Sequence, residues 1–210
     1  MTSESQAALQ HDLDQCQEKG VRHLLVSEEN FLGMMPQNFH KGELYPEVAL
    51  RAQLVAEAFN GRVTKLALNI RALNTYWSSL AAYAVRNKTR FGTPMRWAKV
   101  TQHPRSWQDV ITDLAGAFPQ VPLLVLPFEE FAGRPNEQLA TLMDIVAPTE
   151  AADLWFNKDL DDELQVPNGA QELSLMTKFA EDLSWLASGA DGLAQLCLLQ
   201  ETERGDVAPA

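Results

Sequence analysis

Three short apolar runs, set apart by helix-length stretches, constrain this chain more than any other feature. Leu24-Leu25-Val26 (within Val21 to Ser27), Val63 to Ile70 and Val121 to Leu126 are each too short for a helix and suit buried strands. The stretches around them carry helical spacing. Leu9, Leu13 and Cys16 share one face behind Ser3 and Gln6 at capping-box spacing, with Gly20 as the stop. A second helix is expected from about Pro46 through Leu50, Leu54, Val55, Ala58 and Phe59 to Gly61. Asn74 to about Arg86 has helix-forming composition, and Ser106 is placed to cap a helix to about Phe118. Pro135 opens another, with Leu139, Leu142, Met143 and Val146 on one face. Residues 87–105 read as irregular, with Gly92, Pro94 and Pro104 as breakers, and the chain from Thr149 onward reads as helical or looped. Strands alternating with helices predict an α/β fold: a three-layer, mostly parallel sheet flanked by helices, with a helical C-terminal part. The division expected is one α/β domain over residues 1–150, a helical extension of it over 151–203, and a tail at 204–210.

Composition agrees with one packed domain. Of 210 residues, 46% are hydrophobic, which is enough to build a core and argues against global disorder. Runs such as Val121 to Pro127 and Leu193 to Leu199 are far too short to cross a membrane, and Met1 to Lys19 is too polar for a signal peptide, so a soluble cytoplasmic chain is expected. The two cysteines, Cys16 and Cys197, show no metal-ligand spacing and predict neither a zinc site nor a disulfide framework. Charge is unevenly divided. Residues 1–105 hold 13 Lys/Arg against 9 Asp/Glu, whereas 106–210 hold 4 against 19. The net charge of −11 speaks against general nucleic-acid binding, which depends on neutralising phosphates, and the first half is the one that tolerates anions.

The stretch Ile70-Arg71-Ala72-Leu73-Asn74-Thr75-Tyr76-Trp77-Ser78-Ser79 concentrates the chemistry. An arginine leaves a strand end, and a serine follows eight positions later on the next helix. A guanidinium can fork onto a phosphate while a hydroxyl donates to the same oxygens. This arrangement resembles the 3′-phosphate motif of sulfotransferases, enzymes that use 3′-phosphoadenosine 5′-phosphosulfate. The resemblance implies that Arg71 and Ser79 bind the 3′-phosphate, with Ser78 as a substitute hydroxyl. Where the family carries proline and aspartate after the arginine, this chain has Leu73 and Asn74/Thr75. Further segments match in order: Val26 to Phe31, Leu44-Tyr45-Pro46 with Arg51, Val125 to Phe131, and Arg134-Pro135 with the helix after it. The likeness spans roughly residues 20–150.

One part of such an enzyme is not found. The family's first strand and its phosphate-binding loop have no counterpart before Gly20, and Gly20, Gly33 and Gly42 lack the required lysine or hydroxyl neighbours. Arg90-Phe91-Gly92-Thr93 looks like the loop but falls in the irregular stretch, where a turn is the better expectation. Without that strand, neighbouring strand edges should be unpaired. Either the chain continues a longer protein or it is a degenerate relative repacked around the loss.

Sulfuryl transfer to a hydroxyl needs a base, and Glu28, Glu29 and His103 are the candidates, with Glu28 at an expected strand end preferred. Arg86, Lys88, Arg90, Arg96, Lys99 and Arg105 form a basic cluster that either meets an anion or balances the acidic second half. Trp77 and Tyr83 are expected in the core. The acidic run from Asp153 through Asp159, Asp161, Asp162 and Glu163 lacks calcium-loop spacing and reads as a solvated helical face, and His11, His23 and His40 show no metal spacing. The resemblance therefore implies transfer of a sulfuryl group from 3′-phosphoadenosine 5′-phosphosulfate to a hydroxyl or amine of a carbohydrate-like acceptor, without metal, and the missing loop leaves catalysis by this chain open. The alternatives are a noncatalytic protein that keeps the fold and acts through protein contacts or anion binding, and an unrelated nucleotide or sugar-phosphate transferase.

Overall fold

The computed structural model describes residues 3–86, 94–145 and 167–199. Helices α1 (Ser3–Glu18), α2 (Met35–Lys41) and α3 (Val48–Phe59) come before the first strand, β1 (Leu66–Ile70). Then follow α4 (Leu73–Arg86), α5 (Pro94–Gln102), α6 (Trp107–Ala117), β2 (Leu123–Pro127), α7 (Phe128–Phe131) and α8 (Pro135–Met143). The C-terminal part holds α9 (Gly169–Ala187), a single 3-10 turn (Ala190–Gly192) and β3 (Gln195–Leu196). The strands lie in the order β1-β2-β3, all parallel, with Leu66 opposite Leu123 and Leu124 opposite Gln195. The fold is thus mixed α/β, a small parallel sheet flanked by helices.

The pleat explains why helices cover both faces. Side chains alternate across a strand, and every residue of β2 is buried. Leu123 and Val125 join the main core with Leu68 and Ile70 of β1, Leu73 and Leu80 of α4, Val110 and Ile111 of α6, and Leu175 and Phe179 of α9. Leu124 and Leu126 point the other way into a smaller cluster with Phe131, Cys197 and the partly buried Leu142. A fully buried side chain such as Ile70 or Val125 contributes about 1.5–3 kcal/mol of transfer free energy.

β1 is covered less completely. Its Leu66 N–H donates to the Pro122 carbonyl at 2.8 Å, so the register turns the backbone groups of Leu66, Leu68 and Ile70 toward β2 and those of Ala67 and Asn69 outward. No strand pairs with that outer edge among the described residues. Both Ala67 and Asn69 are exposed.

Helix ends follow local chemistry where it is strong. Ser106 caps α6 in a capping box with Asp109, and Asn168 caps α9 in another with Gln171. α3 begins at Val48, two residues later than its Pro46 suggests, and Asn60 rather than Gly61 takes the left-handed C-cap at φ 49°.

Three expectations are corrected. Val21 to Ser27 forms no strand; the segment is exposed throughout, with Leu24 and Leu25 52% and 53% accessible. Its apolar residues do not alternate, so pairing would give it no single face to bury. Residues 94–102 are helix rather than irregular chain, because Pro94 sits at the first helical position, where its missing N–H costs nothing, and Trp97 and Val100 three apart enter the core. The C-terminal part is not wholly helical, since Gln195–Leu196 adds a third strand. The Arg90–Thr93 segment, Lys88 and the acidic run at 153–163 lie outside the described residues. Among those described, no helix is long and apolar enough to cross a membrane.

Candidate functional site

In a parallel sheet with helical crossovers, side chains that leave the C-terminal strand ends are free to meet a ligand. Arg71 is the first residue after β1, and Phe128 and Glu129 directly follow β2, its neighbour. Short connections bring them together. The guanidinium of Arg71 lies over the Phe128 ring, 4.9 Å from its centroid, and Nε donates to Thr75 Oγ1 at 3.1 Å. Thr75 in turn donates to the Ala72 carbonyl at 2.9 Å. The Ala72 N–H donates to Glu129 Oε1 at 2.8 Å, which seats a carboxylate beside the arginine. Partial burial lowers the pKa of the Arg71 guanidinium, and the Glu129 charge raises it again. An arginine stays protonated under either influence.

Beyond Nε, Arg71 carries four further N–H donors. Its two terminal nitrogens make no hydrogen bond among the described residues, so the fork is fixed at Nε. The backbone is held from behind by Trp107, whose Nε1–H donates to the Arg71 carbonyl at 2.8 Å.

Ser78 and Ser79 are half-buried on α4 and make no side-chain hydrogen bond to Arg71. Thr75 intervenes because it stands in the first turn of α4. Ser79 is one turn further on, about 6 Å along the axis, on the same face. Thr75 spends its only hydroxyl proton on the Ala72 carbonyl. Thr75, Phe128, Glu129 and Trp107 were given no role by sequence reasoning; the spacing of four between Arg71 and Thr75 was the available signal.

Glu28 lies in a different setting. It is exposed and accepts hydrogen bonds from the N–H and side-chain amide of Asn30 at 2.9 and 3.0 Å. The backbone bond first, and the side-chain bond next, lower its pKa. A carboxylate held ionised in this way is a weak base. His103 closes the turn between α5 and α6, where Nδ1 accepts from the Arg105 N–H at 3.2 Å and Nε2 lies 3.8 Å from Glu43.

The described part of the basic cluster mostly serves the fold. Arg105 donates to the carbonyls of Leu44 at 2.6 Å and Tyr45 at 3.3 Å and pairs with Asp113 at 2.5 Å. Arg96 reaches the Phe39 carbonyl and lies over its ring. Trp77 is buried in the core, whereas Tyr83 is 41% exposed.

A cleft of about 450 Å³ opens at the N-terminal end of α6. Its wall carries Asp109, Asp113, Glu181 and Asp182 against Arg105 and Lys178, a balance that disfavours anions. Asp182 is 2% exposed and is fully used: it accepts from Ser106 Oγ at 2.5 Å, Gln108 N at 3.0 Å and Trp107 N at 3.1 Å. The cleft is thus the seam where α9 caps α6.

No protein-family model, no curated protein and no solved structure matches this chain, so the site stands on its own geometry.

Proposed function

We propose that this chain binds a phosphorylated nucleotide of the 3′-phosphoadenosine type at the C-terminal edge of its sheet, as a sulfotransferase-like protein. The observation that carries the reading is Arg71, a half-buried guanidinium at a parallel strand end, fixed through Nε and with no hydrogen bond at its terminal nitrogens among the described residues. Bidentate donation to a phosphate is the chemistry such a fork suits. Sulfuryl transfer from 3′-phosphoadenosine 5′-phosphosulfate to a carbohydrate-like hydroxyl or amine is the wider form of the reading, and it needs a base better placed than Glu28.

Calorimetric titration with adenosine 3′,5′-bisphosphate tests the binding. Saturable heat in the wild type that disappears in Arg71→Ala is expected. Equal binding by both proteins would sink the reading.

A second reading, a noncatalytic protein that acts through protein contacts, draws on the exposed apolar segment at Val21 to Val26 and on the outer edge of β1, which no strand pairs among the described residues. It predicts no response to the nucleotide.

A further inference from the structure

The group already beside Arg71 is a carboxylate. Glu129 belongs to the segment that follows β2, and the parallel register sets that segment against the end of β1. One oxygen accepts the Ala72 N–H at 2.8 Å, and the charge acts on Arg71. The side chain is exposed, so it is held by these contacts rather than by packing.

Any phosphate held by Arg71 lies within reach of the charge that already acts on that guanidinium. Like charges repel, and near the surface the repulsion is only partly screened. The Ala72 amide, which could serve the incoming oxygen, is also occupied.

We propose that Glu129 is a built-in competitor at the Arg71 site, a specificity-determining residue that weakens the binding of doubly charged phosphates. The inference rests on the reading of Arg71 as the anion-binding group. It differs from a simple capping role in the sign of its effect. A cap, when removed, costs stability and leaves affinity unchanged; a competitor, when neutralised, improves affinity.

Glu129→Gln separates the two, since the amide oxygen still accepts from Ala72 while the charge is gone. Titrated with adenosine 3′,5′-bisphosphate at low ionic strength, E129Q is expected to bind about three- to tenfold more tightly than the wild type. Glu129→Ala, which also releases the Ala72 N–H, should bind at least as tightly as E129Q. The advantage should shrink as salt is raised toward physiological strength, where screening shortens the reach of an exposed charge. Adding Arg71→Ala to either variant should remove binding.

If E129Q and E129A bind no better than the wild type while R71A loses binding, the competitor role is overturned and Arg71 stands. If R71A binds as the wild type does, or if neither the wild type nor the Glu129 variants bind, the Arg71 reading falls and takes this inference with it. A thermal melt of each variant establishes that the proteins compared are folded.

Discussion

Trp107 donates its indole N–H to the carbonyl oxygen of Arg71 at 2.8 Å. This bond ties the start of α6 to the end of β1, and the same tryptophan, 2% exposed, packs against Tyr45 and Tyr76 with ring centroids 6.0 and 5.8 Å away. The backbone that presents the guanidinium is thereby built into the core.

Trp107→Phe keeps an aromatic ring but deletes the donor and leaves unfilled volume. A loss of about 2–3 kcal/mol is expected, the sum of one hydrogen bond and a partial cavity. Urea denaturation measures it, and a loss under about 0.5 kcal/mol would show that the indole bond and its packing matter little.

Asp182 gives a prediction in pH. Burial raises its pKa above the ordinary 3.8, outweighing the hydrogen bonds from Ser106, Gln108 and Trp107, which lower it. Asp109 on α6 adds repulsion in the same direction. The folded pKa therefore lies above the unfolded one, and the folded state binds the proton more tightly. The stability this adds is full below the unfolded value near 3.8 and is lost as pH rises through the folded pKa. Measured against Asp182→Asn, which does not titrate, the relative stability of the wild type should fall as pH rises from about 3.8 and then level off. A difference that grows with pH across that window would contradict the assignment.

The exposed segment gives the cleanest contrast with the core. Leu25→Ser should change stability by less than about 0.5 kcal/mol, since 53% of Leu25 is already in water. Ile70→Ala, at a site with no exposure, should cost about 2–5 kcal/mol. Chemical denaturation of the two variants side by side checks both. A large loss for Leu25→Ser would mean that the segment is buried against a partner, another copy of the chain included.

Patterns that depend on near neighbours could be read in advance. The Ser106 cap, the apolar run of β2 and the Pro135 start of α8 each rest on contacts within a few residues, and all three are found. The mistakes share one cause. Pro94 reads equally well as a helix breaker and as a first helical residue, and Leu24-Leu25-Val26 reads equally well as a buried strand and as a bare extended segment. Only the presence or absence of a partner surface chooses between such pairs. Gln195–Leu196 is too short to have a pattern of its own and is a strand because β2 lies beside it.

The site divides in the same way. The sequence by itself determined that an arginine leaves a strand and enters a helix carrying hydroxyls, because that depends on order along the chain. Tertiary structure alone decided that Thr75 takes the near bond, that Phe128 lies under the guanidinium, that Trp107 holds it from behind and that Glu129 sits at its side. Those groups stand 4 to 58 positions from Arg71 in the sequence, and it is the parallel register of β1 and β2, a non-local pairing, that brings Phe128 and Glu129 to its end of the sheet.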